Sequence, residues 1–273
     1  MQKHAITLGV YVLIASACTA FFRWVQNLSA FELETGLMIP NILWSKVAFV
    51  VCLAALGGIV FMVSRFWYRN YYPAQTYEQL FVGDPYWIDR ITKLIAGIMI
   101  AGAAVNFFIG TYSVYRNLQG VLSLLAIATA VAFVQLSDLP WAEEHSSFKH
   151  GLWSAIPVVF YMDWITVSYR THAVVPSVWS FAPEIFAIGM CIIAAFYFAG
   201  YGWDFPRPYA ALGCGLAAAL LSLMTLMDER NLGQQMMLIA GAAMFLYNSW
   251  MIVVSMKAVW PSEAETDAPT ENE

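Results

Sequence analysis

Charge is what this sequence has least of. Of its 273 residues, 11% are Asp, Glu, Lys or Arg, while 60% are hydrophobic. A soluble domain carries about 25% charged residues. Too little charge is present here to cover a water-facing surface, which excludes a soluble globular protein. Closely spaced cysteines are missing as well. Cys18, Cys52, Cys191 and Cys214 fall singly inside apolar runs, with no C-x-x-C pair. Zinc and redox motifs need close spacing, so these thiols read as small packing residues. No apolar run contains a histidine, because His4, His145, His150 and His172 lie at the terminus or in connections. A haem held between membrane helices needs axial ligands from within the spans.

In "EEHSSFKH", residues 143–150, two histidines stand near two carboxylates but five residues apart. Helical metal-ligand pairs prefer three or four, so the segment reads as a solvated lead-in to the next apolar run. P-loop, dinucleotide and G-x-S-x-G signatures are absent. No catalytic residue, cofactor site or metal site is assigned, and an enzyme is the weaker class. Clustered Lys and Arg for nucleic acid are lacking too. The net charge of −5 comes largely from "SEAETDAPTENE", with five acids and no base. Residues 260–273 therefore read as an acidic, disordered tail.

What is abundant is long apolar sequence. A bilayer core needs about 20 apolar residues per helix. Eight such runs occur, at 5–24, 44–65, 91–114, 118–136, 152–169, 182–202, 208–227 and 234–256. Backbone polar groups in lipid must be satisfied internally, which helices do, and the runs are continuous where a barrel would alternate. The expected fold is all-α: one polytopic bundle over residues 1–259 with eight transmembrane helices in the plasma membrane. The first run has some signal-peptide character, but seven more runs follow it, favouring a retained helix. The 11 Trp, 14 Tyr and 18 Phe suit many membrane–water boundaries.

An even number of spans puts both termini on one side. That side would carry Lys3, Arg65, Arg69, Arg90, Lys93, Lys149, Arg207 and Lys257, and the other Arg23, Lys46, Arg116, Arg170 and Arg230. The excess of positive charge predicts cytoplasmic termini. In the long connection "RFWYRNYYPAQTYEQLFVGDPYWIDR", Thr76 and Gln79 have capping-box spacing. A short helix follows, with Tyr77, Leu80 and Phe81 as an apolar face expected to lie among headgroups. Two local echoes point to a duplication of repeats 5–136 and 152–256. Pro40 aligns with Pro176, and Arg116-Asn117-Leu118 with Arg230-Asn231-Leu232. Four helices per unit would make the repeats parallel.

Polar residues inside the runs are few, chiefly Asn106, Gln135, Asp163 and Asn248. Amides such as Asn106 and Asn248 tie helices together. Ala- and Gly-rich runs ("IAGIMIAGAA", "LGCGLAAALL", "IAGAA") allow close backbone approach. The richest stretch is "MDWITVSYRTHAVVPSVWSFAPEIF", residues 162–186. Asp163 lies about 9 Å inside Tyr169 and is expected to face the bundle. Arg170 closes one run and Glu184 opens the next, which predicts an ion pair at a shared boundary.

"YRTHAVVPSVWSFAPEIFAI", through Tyr169, Arg170, Ala173, Pro176 and Glu184, resembles a segment of uncharacterised eight-span membrane proteins of Clostridia-type bacteria. "FELETGLMIP", through Glu34, Thr35, Gly36, Leu37 and Pro40, is similar to a loop of the same family. The resemblance implies an eight-span architecture and no activity; Asp163 lies outside its pattern.

Two functional readings stand beside the disfavoured enzyme. One is a non-catalytic structural or partner-binding membrane protein, held together by its polar residues. The alternative is a transporter or channel for a small solute, with Asp163, Asn106 and Asn248 lining a pocket. Lipid is the expected environment, with a membrane protein or small solute as partner.

Overall fold

The computed structural model of the protein describes residues 2–32, 37–39, 42–68, 71–81, 84–110, 115–138, 147–172 and 178–258. Long helices dominate: α1 (Gln2–Ser29), α2 (Leu43–Tyr68), α4 (Pro85–Gly110), α5 (Arg116–Asp138), α6 (Ser147–His172), α7 (Val178–Ala199), α8 (Pro208–Met224) and α9 (Leu232–Ser255). A four-residue helix α3 (Tyr77–Leu80) interrupts the long connection after α2. The helix starts have local causes. Pro85 and Pro208 open α4 and α8, where a missing N–H costs nothing. Asn231 caps α9 by accepting from the Gln234 amide at 2.8 Å.

Among the described residues, seven helices are long and apolar enough to cross a membrane: α1, α2, α4, α5, α7, α8 and α9. This fits a multi-pass membrane protein. Helix α6 has 26 residues, as many as α2 or α4, but holds Lys149, Asp163 and Arg170. The described residues begin and end at the same end of the bundle. His4 packs edge-on against Phe66 near the end of α2, Phe66 contacts Tyr71, and Tyr71–Tyr72 pairs antiparallel with Lys257–Ala258 beyond α9. This end is called the terminal face.

Helices α4 to α9 pack in chain order, and α9 returns against α4 to close a circuit of six. Helix α1 lies outside this circuit against α8 and α9, with α2 against α1 and α8. Aromatic side chains fill the interior. The Tyr161 ring stacks on Trp164 (6.3 Å, 9°) and on Phe245 (5.6 Å, 27°), and Phe245 stacks on Phe198 (6.2 Å). Such pairs contribute about 0.5–1.5 kcal/mol each beyond area burial. In lipid, packing of this kind replaces the hydrophobic drive between helices. Peripheral α2 instead exposes Phe49, Val50, Leu53, Val60 and Phe61, as a lipid-facing helix does.

Close approach depends on glycine where α4 crosses α9. A Cβ at Gly102 would lie 2.9 Å from the Gly233 carbonyl oxygen, and one at Gly233 would run into the Asn106 backbone. Gly102 belongs to the small-residue run of α4, whereas Gly233 lies in the first turn of α9 outside any such run.

The two proposed repeats pack differently. Helix α7 lies against α8, whereas α2 and α4, their counterparts, share no comparable interface. Arg116 is the exposed first residue of α5, but Arg230 precedes the α9 cap and its side chain is buried. The shared tripeptide therefore occupies two different structural positions. Pro40 and Pro176, the other echo, lie outside the described residues.

The expected headgroup helix forms, with a different destination. Thr76 accepts from the Gln79 amide at 3.3 Å, and Gln79 Oε1 accepts from the Gln75 amide at 2.9 Å. Its apolar face is inserted into the bundle end: Tyr77, Leu80 and Phe81 are buried. The Tyr77 hydroxyl donates to the Phe198 carbonyl at 2.9 Å, at the end of α7. Burial pushes this phenol well above the ordinary tyrosine range. Insertion between helices satisfies both the rings and the hydroxyl, which headgroups would do less completely.

Candidate functional site

Among the described residues, the densest polar chemistry lies at the face opposite the terminal face. Arg23, near the end of α1, donates from Nε to Asp228 Oδ1 at 2.7 Å. Its Nη2 donates to the Ser180 carbonyl at 2.7 Å and its Nη1 to Gln26 Oε1 at 2.9 Å. Asn27 adds a donor to Asp228 Oδ1 at 3.1 Å. Arg230 follows in the same turn between α8 and α9. Its Nη2 stands 3.3 Å from Glu184 Oε2 of α7 and 4.0 Å from Asp228 Oδ2. The 3.3 Å approach is close enough for an ion pair, but its geometry is not that of a hydrogen bond. Arg230 Nη1 donates weakly to Thr225 Oγ1 at 3.4 Å.

Burial makes this cluster energetically consequential. The side chains of Arg23 and Arg230 are 3% and 2% exposed, those of Asp228 and Glu184 9% and 6%. Two positive and two negative groups balance, so the cluster is neutral as a unit. An uncompensated charge at such depth costs several kcal/mol, and removing one partner of a buried pair typically costs about 3–5 kcal/mol. Arg230 Nε, Arg230 Nη2 and Asp228 Oδ2 have no hydrogen-bond partner among the described residues.

A second, uncharged network adjoins it through Asn231. Asn106 of α4 is fully buried and donates to Ser123 Oγ of α5 at 2.9 Å. Its Oδ1 accepts from Asn231 Nδ2 at 3.0 Å, and Gln234 Nε2 donates to Gln119 Oε1 at 3.3 Å. Together the networks bind α1, α4, α5, α7 and α9 at one end of the bundle.

The structure corrects the ion pair expected between Arg170 and Glu184. Glu184 is buried against Arg230, while Arg170 and Tyr169 are exposed on the last turn of α6. The reason is depth. Helix α7 begins at Val178, so Glu184 lies six residues, about 9 Å, into the bundle. The α6–α7 hairpin is instead closed by His172 stacking on Phe181 (5.1 Å, 15°). Asp163 is half-buried on α6, and its Oδ2 has no partner among the described residues. Asn106 of α4 bonds to Ser123 of α5 and to Asn231, the α9 cap. Asn248 is 8% exposed, and its Oδ1 likewise lacks a partner among the described residues. Gln135 is exposed. The structure does not gather Asp163, Arg170, Glu184, Asn106 and Asn248 into one site.

Sequence reasoning missed Arg23, Asp228 and Arg230 as a unit. A signal existed for Arg23, which falls inside an apolar run, where an ionisable residue implies a buried partner. No family model matches the sequence, and comparison with curated proteins and with solved structures yields no match.

Proposed function

We propose that the chain is an eight-span plasma-membrane protein with cytoplasmic termini, serving as a non-catalytic structural or partner-binding element. The observation that carries this reading is the filled interior. The centre of the six-helix circuit is occupied by Phe160, Tyr161, Trp164, Phe198 and Phe245, all at most 5% exposed. A conduit along the axis needs polar groups facing a continuous space, and stacked rings supply neither. The ion pairs of the opposite face serve in this reading as a clasp between α1, α7 and the α8–α9 turn.

Helix α6 is the eighth span. Its charged residues lie near its ends except Asp163, and an even number of crossings agrees with the start of α1 and the end of α9 both lying at the terminal face. Eight spans also agree with the resemblance to the Clostridia-type proteins. A 4+4 duplication is not part of the proposal, because α2 and α4 do not pack as α7 and α8 do.

Two measurements test it. Proteoliposomes should show no more proton, ion or small-solute flux than protein-free vesicles; flux that Asp163→Asn abolishes would establish the transporter alternative. In cells, engineered cysteines at Ser29 and Thr171, on a background without native cysteine, should react with an impermeant external reagent. A cysteine at Gln75 should not, and the reverse pattern would invert the orientation.

A further inference from the structure

A small cavity of about 20 Å³ lies inside the bundle below α3, bordered by α5, α6, α7 and α9. Its polar border is formed by Ser154 and Asn248, its roof by Tyr77. A cavity of roughly 10–15 Å³ holds one water if two or more polar partners face it. The chemistry of those partners defines the occupant. Asn248 Oδ1 is buried and has no hydrogen-bond partner among the described residues. Ser154 spends its proton on the Gly151 carbonyl at 2.8 Å, with the Ala199 carbonyl at 3.3 Å, so it faces the cavity as an acceptor. Pro157, also on the border, supplies no N–H to it. Two polar side chains, Ser154 and Asn248, border a cavity whose lining carries no charged side chain. Asn248 also brings its amide Nδ2 with two N–H donors, so the border offers both donors and acceptors but no countercharge for an ion.

We propose that this cavity is an interior binding site for one small neutral polar molecule, water in the resting protein, with α3 as the lid through which it exchanges. Asn248 holds the occupant. Phe198 and Phe245 close the site toward the bundle centre. Toward the terminal face the barrier is Tyr77, held by its bond to the Phe198 carbonyl and by ring contact with Tyr201 at 5.7 Å. The site opens to one face only, so it goes beyond the proposed structural role without making the bundle a conduit.

Lipid-reconstituted protein with labelled asparagine tests the occupant by water-edited solid-state NMR. The Asn248 side-chain amide should receive magnetisation from water as fast as exposed amides do. A map at high resolution should show a peak at hydrogen-bond distance from Asn248 Oδ1 that Asn248→Leu removes while the fold persists. Slow transfer, or an empty cavity in the map, overturns the site. The lid is tested by Ser154→Cys on a background without native cysteine. A small water-soluble methanethiosulfonate should modify it at least about tenfold faster once Tyr77→Ala removes one hydrogen bond and a buried ring from the lid. Equal rates overturn the lid, whether both are fast or both slow; Tyr77→Phe, which retains the ring, should fall between the two and shows that the protein remains folded.

Discussion

The bundle is closed by charge at one end and by aromatic rings at the other. At the face opposite the terminal face, Arg23, Asp228, Arg230 and Glu184 are buried in pairs. At the terminal face, Tyr77, Leu80 and Phe81 are pressed between helices, with Phe81 stacked on Tyr77 (6.2 Å, 7°). The contrast teaches how each end tolerates change. Apolar packing degrades gradually, because each lost contact is small. A buried charge fails abruptly, because its partner cannot return to water. The charged end should therefore be the brittle one and the aromatic end the yielding one.

The largest expected effect is at the charged end. Arg23→Ala should destabilise the protein by about 3–5 kcal/mol, since Asp228 would stay buried without its closest cation. The double variant Arg23→Met/Asp228→Leu should recover most of that loss, because it removes both desolvation penalties. Thermal unfolding in detergent measures both. A double variant as unstable as the single would mean that this end is held by shape and not by charge.

Next comes the helix crossing that carries the uncharged network. Gly233→Ala would drive a methyl into the backbone at Asn106. Separating α4 from α9 should cost about 1–3 kcal/mol. It should also break the Asn231–Asn106 bond, which the side-chain amide resonances would report. An unchanged melting temperature would show that the two helices can part freely.

At the aromatic end the same logic predicts less. Tyr77→Phe keeps the ring and removes the bond to the Phe198 carbonyl, for about 0.5–1.5 kcal/mol. A loss as large as that of Arg23→Ala would erase the proposed difference between the ends.

How far these ends were legible in the sequence follows from the range of the interactions. Helical content was legible because apolar length and internal backbone bonding are local. The α3 cap was legible too, in the spacing of Thr76 and Gln79. Its burial was not, since Tyr77 reaches a carbonyl 121 residues away. Arg23 and Asp228 are separated by 205 residues, and no local pattern states which acid such an arginine will meet. Glu184 stood out as a charge beside an apolar run. Its partner was assigned by sequence proximity to Arg170, whereas depth along α7 carried it to Arg230.

That correction supplies the smallest predicted effect. Arg170 is exposed on the last turn of α6, and Glu184 already faces Arg230. Arg170→Ala should therefore change stability by no more than about 0.5 kcal/mol, as exposed substitutions usually do. Glu184→Ala should cost far more, by leaving Arg230 beside Asp228 Oδ2 at 4.0 Å as its remaining carboxylate contact. A double-mutant cycle separates the two arginines. Coupling of Glu184 to Arg230 should reach about 0.5–3 kcal/mol, the range for residues in contact. Coupling of Glu184 to Arg170 should be indistinguishable from zero, because no shared partner connects them. Appreciable coupling to Arg170 would place Glu184 nearer the surface than α7 puts it, and the charged end would then be less deeply sealed than its brittleness requires.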